Sequence, residues 1–347
     1  MHWIWWCLSV LIGLAIITLL TSFVCFMKVF YSPKRKPLGP DEFEIPEGEI
    51  YEVYRDDMIN WTKQIRAMPH EDLEITSFDG LKLRAKYFEC NPGAPIELLF
   101  HGYQGNAERD LCGGVERCFR LDRNVMIINH RASGDSEGHV ISFGINERRD
   151  CHAWIKYAIE RFGNDVKLII GGVSMGAATV MMAANEPLPE NVICILADCG
   201  YSSAEEIIKK VVSEMHLPPS LLYPFIKLGA KLFGGFDLEE TSPMEAMRKC
   251  QLPVVFVHGD DDAFVPYEMS VRLYEECASD KKELITIHGA GHGLAFPADR
   301  DGYVNKSNIS IFFLCVALCF FTTSDRYSTN FLSSIPDTVA LIFPSIS

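Results

Sequence analysis

Five residues, Gly172-Val173-Ser174-Met175-Gly176, constrain this chain more than any other feature. They follow an apolar run from Lys167 to Ile170 and precede Ala177-Ala178-Thr179-Val180-Met181-Met182, which reads as a helix. A serine between small residues at such a junction implies a sharp strand-to-helix turn with a strained backbone. The small flanks let strand and helix approach closely, and the hydroxyl projects at the positive end of a helix.

The surrounding pattern supplies the sheet that this turn needs. From Leu73 onward, short apolar runs are separated by helical stretches. Strands are expected near 73–78, 81–89, 96–101, 125–130, 167–173, 192–198, 253–258 and 283–288, and helices near 106–119, 146–162, 175–185 and 267–279. Two strands followed by alternating strands and helices predict an α/β fold: a mostly parallel eight-stranded sheet with an antiparallel start, flanked by helices. Continuous runs such as Leu168-Ile169-Ile170 and Val254-Val255-Phe256-Val257 suit strands covered on both faces. Residues 201–250 exceed what a simple crossover needs. Ile207, Ile208, Val211, Val212 and Met215 suggest one helix there. After Pro218-Pro219, Leu221, Leu222, Phe225, Ile226, Leu228 and Phe233 suggest a second. Together they read as a small helical cap over the site.

The ends of the chain have a different character. Trp3 to Met27 carries no charged side chain and is long enough to cross a hydrocarbon core of ~30 Å. Buried soluble helices rarely run so long without a polar face, and a cleaved signal peptide usually has a basic start and a shorter apolar run. Trp3, Trp5 and Trp6 suit a headgroup belt. The segment reads as a retained N-terminal transmembrane helix, a single-pass anchor in the cell membrane. Lys28, Lys34, Arg35 and Lys36 then place the rest of the chain on the cytoplasmic side. Four intervals, from Ile50 through Tyr54, Met58 and Trp61 to Ile65, predict a one-sided helix from about Ile50 to Ala67. The expected organisation is an anchor over 1–30, a juxtamembrane linker and amphipathic helix over 31–70, the α/β domain over 71–305 with its cap at 201–250, and an atypical apolar tail over 306–347. Within that tail Ile309 to Phe321 is short for a membrane span. A core helix, an interfacial segment and an out-of-frame replacement of the last helix are its alternative readings.

Composition narrows the function. A net charge of -14 repels phosphate backbones and argues against nucleic acid as a partner. The 12 cysteines form no C-x-x-C pair, which disfavours zinc ribbons and thioredoxin-like sites. Their scatter through apolar runs suits buried thiols in a reducing compartment.

A serine hydroxyl needs a base, and that base needs an acid to orient it. Two histidines follow the last strand in His288-Gly289-Ala290-Gly291-His292-Gly293. His292, flanked by glycines and farther along the loop, is the expected base, and His288 at the strand end is expected to pack or hydrogen-bond. Acid candidates are Asp260, Asp261 and Asp262 after the seventh strand, with Asp198 after the sixth as an outside choice. The three consecutive aspartates lack the alternating spacing of a hard-cation loop, so no metal is expected. A tetrahedral intermediate needs fixed donors for its oxyanion. The backbone N–H of Met175, next after the serine, and that of Tyr103, beyond Gly102 in the third-strand loop, are the expected pair. His101 in that loop is expected to brace rather than to transfer protons.

Taken together, H-G-Y-Q-G at 101–105, G-V-S-M-G at 172–176, H-G-D-D-D-A-F-V-P at 258–266 and G-A-G-H at 289–292 resemble the α/β-hydrolase superfamily. Asn129 to Gly138 resembles its R-G-x-G-x-S-x-G loop after the fourth strand, with Ala132 in place of the first glycine. The resemblance covers about 70–305 and points to bacterial membrane-anchored hydrolases akin to serine aminopeptidase and monoglyceride-lipase-like enzymes. It implies Asp262 as the acid and a Ser174, Asp262, His292 triad in that chain order. It also implies an esterase, lipase, thioesterase or peptidase acting without a cofactor on a small-molecule or acylated substrate. The alternative is a non-catalytic binding protein on the same scaffold.

Overall fold

A computed structural model describes residues 2–311 of the chain, apart from Arg35, Pro37 and Ile309. The described strands are β1 (Glu71–Thr76), β2 (Lys82–Phe88), β3 (Ile96–Phe100), β4 (Asn124–Ile128), β5 (Leu168–Val173), β6 (Val192–Asp198), β7 (Val254–Gly259) and β8 (Lys282–Ile287). They form one sheet in the order β1-β2-β4-β3-β5-β6-β7-β8. β2 is antiparallel to both β1 and β4, and every pairing from β4 to β8 is parallel. The parallel strands connect through α4 (Ala107–Arg120), α5 (Glu147–Phe162), α6 (Met175–Ala183) and α10 (Tyr267–Glu276).

The strand residues divide between two cores with a period of two. Leu98, Phe100, Ile170, Ile195 and Phe256 pack with Trp154 of α5 and Met181 of α6. Leu99, Ile127, Ile169, Leu196 and Val257 pack instead with Leu111 and Val115 of α4. Every residue of β3, β4 and β7 is buried, so those strands read as mainly apolar runs, interrupted by the buried polar side chains of Glu97, Asn124 and His258. Burying each such side chain stabilises the fold by roughly 1.5–3 kcal/mol, so the central strands are the least dispensable part of the sheet.

Several expected elements differ in detail. The helix read as Ile50 to Ala67 is two: α2 (Glu49–Glu52), then α3 (Arg55–Ala67). Trp61 and Ile65 of α3 do pack on the domain, against α4 and α11 (Ala295–Ala298), as their spacing requires. Between β6 and β7 lie α7 (Ala204–Glu214), α8 (Pro219–Gly229) and α9 (Pro243–Met247). The expected second helix of this insertion ends at Gly229 and continues as a π-helical turn, Ala230–Gly234. Of the apolar tail only its first residues, through 311, are described, with helix over 300–308; residues 312–347 lie outside the described residues.

At the other end α1 (His2–Val29) is one unbroken helix, long and apolar enough to cross a membrane. Its C-terminal part packs on the domain. Phe26 and the following Phe30 join a third core with Phe143, Met175, Ile226 and Phe236.

One buried ion pair ties α4 to β3. Arg117 donates to both oxygens of Glu97, at 2.9 and 3.2 Å, and Cys118 Sγ lies 2.9 Å from Glu97 Oε2. Removing one member of a buried pair leaves the other under-compensated, and here Arg123 Nη1, 3.6 Å from Glu97 Oε2 without a hydrogen bond to it, is the cation that remains. Arg117→Met should therefore destabilise the chain by about 3–5 kcal/mol. Denaturant unfolding of the full chain in detergent checks this; a loss under 1 kcal/mol, a value typical of a surface pair, would show that Glu97 finds a substitute.

Candidate active site

The turn between β5 and α6 carries Ser174 at φ 56°, ψ -115°, a conformation that side chains rarely adopt. Two glycines make it possible. A Cβ on Gly172 would stand 2.2 Å from the carbonyl carbon of Gly176, and one on Gly176 would stand 2.0 Å from the Phe100 carbonyl oxygen. The Ser174 N–H donates to the Asp198 carbonyl at 2.8 Å, which pins the turn to the end of β6.

His292 and Asp262 reach this serine from the ends of β8 and β7. His292 Nε2 lies 2.9 Å from Ser174 Oγ, and His292 Nδ1 lies 2.7 Å from Asp262 Oδ2. The partners assign the protons: Nδ1–H donates to the carboxylate, and Nε2 accepts from the hydroxyl. All three side chains are buried or nearly so. Burial works against the charge on Asp262, but hydrogen bonds from His258 and His292 outweigh it and hold the carboxyl well below its usual range. Its other oxygen, Oδ1, accepts the backbone N–H groups of Phe264 and Val265 at 2.9 and 2.8 Å. Asp262 is thus ionised and fixed from both sides.

The loop after β3 borders the serine. A Cβ on Gly102 would lie 3.6 Å from Ser174 Cβ. Tyr103, next in that loop, is held by its side chain. Its hydroxyl donates to the Val29 carbonyl at the end of α1, at 2.8 Å, and its ring packs on Phe143. Among the described residues, the backbone N–H groups of Tyr103 and Met175 have no protein acceptor. His101 braces the loop: its Nδ1 meets the Gly102 carbonyl at 2.7 Å and its Nε2 accepts the His130 N–H at 3.1 Å. Burial pushes its pKa down to about 3, so it stays neutral in this role. A cavity of about 700 Å³ opens beside Ser174 and His292, within the range of small-molecule sites. Ile50, Tyr51, Trp61, Phe264 and Phe296 give it apolar walls.

These contacts sort the sequence candidates. Ser174, His292 and Asp262 come together; His288 does not, and instead pairs at the surface with Asp260, Nδ1 to Oδ2 at 2.7 Å. Asp198 accepts a hydrogen bond from Tyr303 at 3.0 Å and makes none to His292. Asp261 and Ala263 line the cavity rim. Cys199, Asp262 and His292 offer ligand atoms within 4.8 Å of one another. The Cys199 thiol is pushed far above its ordinary value by burial, with Asp198 and Asp262 adding to the shift. A thiol held protonated is a poor metal ligand, and the other two side chains already occupy each other.

A family model described as serine aminopeptidase, S33 matches residues 241–299, the segment that carries Asp262 and His292. The esterase Pf2001 of Pyrococcus furiosus superposes with a TM-score of 0.62 at 19% identity, over 83% of this chain and 99% of that one. The chain has the α/β-hydrolase fold. Among its curated relatives, YqkD of Bacillus subtilis is 30% identical over 53% of this chain. The match spans 60% of YqkD's own length. Protein bem46 of Schizosaccharomyces pombe is 26% identical over 65% of this chain and 71% of its own.

Within this fold, two features escaped sequence reasoning. One is His258, whose Nε2 lies 3.1 Å from Asp262 Oδ2 and whose Nδ1 lies 2.6 Å from Ser270 Oγ. The spacing His258 to Asp262 was its only visible trace. The other is the stretch 46–51, expected to belong to a linker and its helix, which walls the cavity. No local pattern reports such a long-range contact.

Asp198 supplies a test of the site's electrostatics. Burial raises its pKa to about 6, and among the described residues its Oδ1 has no partner. A carboxyl whose pKa is raised by folding favours the folded state while protonated. That contribution is complete below the unfolded value of about 4 and is lost as pH rises to about 6. Asp198→Asn removes the titration. Relative to wild type, the variant should gain on the order of 3 kcal/mol between about pH 4 and pH 8. Unfolding curves measured at both pH values check this; a constant difference would mean that Asp198 ionises freely in the folded chain.

Proposed function

We propose that the chain is a membrane-anchored serine hydrolase that cleaves a carboxylic ester, thioester or amide through an acyl-enzyme. One observation carries the reading: Asp262 Oδ2, the two nitrogens of His292 and Ser174 Oγ form a continuous relay with gaps of 2.7 and 2.9 Å. Ser174 attacks the substrate carbonyl while His292 Nε2 takes its proton. Asp262 holds the ring in that tautomer and stabilises the imidazolium. The N–H groups of Tyr103 and Met175 receive the oxyanion. Collapse of the tetrahedral adduct expels the alcohol, thiol or amine, which leaves with the proton from His292. Water then attacks the acyl-Ser174, gives its proton to His292, and the acid departs as Ser174 recovers its own.

An ester is the leading substrate class, because its leaving group needs the least protonation. The names of the matched model, a serine aminopeptidase, and of the superposed structure, an esterase, support acyl hydrolysis in general. The apolar cavity walls favour an acylated or otherwise hydrophobic small molecule. The chemistry needs no cofactor and no metal. In this reading α1 is a single-pass anchor. Lys28, Lys34, Arg35 and Lys36 put the catalytic domain on the cytoplasmic side, and the acidic balance gives nucleic acid no purchase. The hydrolase domain runs over 71–305, with α7 to α9 as its cap at 201–250.

Two variants test the assignment. A fluorophosphonate probe should label the wild-type chain and leave Ser174→Ala unlabelled; equal labelling of both would move the nucleophile elsewhere. Asp262→Asn should fold, since its amide oxygen can still accept from Phe264 and Val265, yet lose about 10³–10⁴ in kcat on a nitrophenyl ester. Undiminished turnover would remove Asp262 from the machinery.

A further inference from the structure

Outside α1, ten large apolar side chains stand exposed among the described residues, and five of them, Met215, Leu217, Leu221, Leu232 and Phe233, belong to the insertion between β6 and β7. A soluble surface does not gather such side chains on one element without a use for them. The same insertion is the part of the domain against which α1 packs. A Cβ on Gly229 would stand 2.4 Å from the Ser22 carbonyl oxygen, so the glycine lets α8 and α1 touch backbone to backbone. Phe233 packs on Phe23 and Phe26 with ring centroids 5.1 and 5.9 Å apart, and Phe236 packs on Phe30 at 5.3 Å. The contacts advance together along the two segments, from Gly229 at Ser22 to Phe236 at Phe30. The earlier residues of α8 therefore run back beside earlier residues of α1.

Length then decides where the bilayer surface must fall. Burial along α1 begins at Thr18 and follows one face through Ser22, Phe26 and Phe30, whereas residues 3–17 are exposed apart from Gly13. Those first residues span only about 22 Å at 1.5 Å per residue. A hydrocarbon core of ~30 Å needs about 20 residues. Measured from the tryptophans near the start, it extends past Thr18 to about Ser22. That is the stretch already in contact with α8. With the tryptophans among the far headgroups, the span brings α8 and the π-helical turn to the near surface.

From this we infer that the cap docks on the lipid surface, with the α7–α8 corner and the π-helical turn seated at the level where α1 leaves the bilayer. Its partner is the membrane that holds α1. Leu217, Leu221, Leu232 and Phe233 enter the acyl boundary. Glu214 and His216, exposed in the same corner, stay among the headgroups and limit the depth. Lys231, exposed on the π-helical turn, suits lipid phosphate. Because Tyr103 holds the Val29 carbonyl, this seating also sets the site beside the membrane. The inference rests on α1 being an anchor, as proposed above, and adds a second, independent contact.

The full chain in phosphatidylcholine–phosphatidylglycerol nanodiscs tests it, since both faces of a disc are open to reagent. Leu221→Cys and Leu232→Cys are reacted with a charged, membrane-impermeant maleimide, and labelling of the native cysteines is subtracted with the wild-type chain. Asp280→Cys is the reference: Asp280 is exposed in the turn before β8, at the amino edge of the sheet, away from the cap. Labelling of both cap positions should be at least about tenfold slower than at Asp280→Cys, the factor expected when a leucine site is taken out of water. Cap cysteines that react as fast as the reference, in chains that co-purify with discs, overturn the docking and leave the anchor standing. Chains that do not co-purify with discs overturn the anchor, and the docking with it.

Discussion

The structure depends on one strained turn. Ser174 holds a positive φ between a buried strand and a helix, α6, whose residues are all buried. A conformation of this kind costs on the order of 1–3 kcal/mol and persists only where its surroundings over-determine it. Here they do: Gly172 lies against Gly176, Gly176 lies against Phe100, and the serine N–H is taken by Asp198. The approach of α6 to β3 and β5 and the presentation of the hydroxyl are the same geometric fact. Ala132 shows a smaller version. It sits at φ 60°, where a glycine would cost nothing and an alanine costs roughly 1–2 kcal/mol. Arg131 beside it is clamped by Asp150 and Asp79, which holds the loop in place.

Parallel pairing then explains why the candidate site collects at one edge. Strands β3, β5, β7 and β8 point the same way, so the loops carrying Tyr103, Ser174, Asp262 and His292 leave from the same side of the sheet. Each loop is secured by its own polar contacts. His101 and His130 hold the first, and His258 with two backbone amides holds the aspartate. Close backbone approach helps in the last: a Cβ on Gly259 would stand 2.1 Å from the Ala290 carbonyl oxygen. The cavity is completed from outside the sheet, by residues 46–51 and α3, and the Tyr103 hydroxyl links it to the end of α1. The N-terminal part of the chain is therefore structurally continuous with the site.

Local signals carried most of the framework. The apolar runs located all eight strands within about two residues, the central ones through short, fully buried runs and β1, β2 and β8 through partial alternation. Glycines at 172, 176, 291 and 293 exposed the serine and histidine loops, since sharp turns and close approaches admit little else. The family resemblance singled out Asp262 from its neighbours, and the hydrogen bonds place it, rather than Asp198, against His292. The α2–α3 break and the π-helical turn left no such trace, because both are settled by packing across the chain.

What the sequence determined by itself was therefore everything written in short-range pattern: the α/β class, the strand register of burial, the strand-to-helix serine turn and a long apolar N-terminal helix. Tertiary structure alone decided which distant groups meet. His258 behind Asp262, residues 46–51 across the cavity mouth, Tyr103 on the end of α1 and Gly229 against Ser22 are contacts that no motif announces, most of them between segments far apart in the chain. Their existence depends on how whole elements pack, and packing is a property of three-dimensional shape that no local window of residues contains.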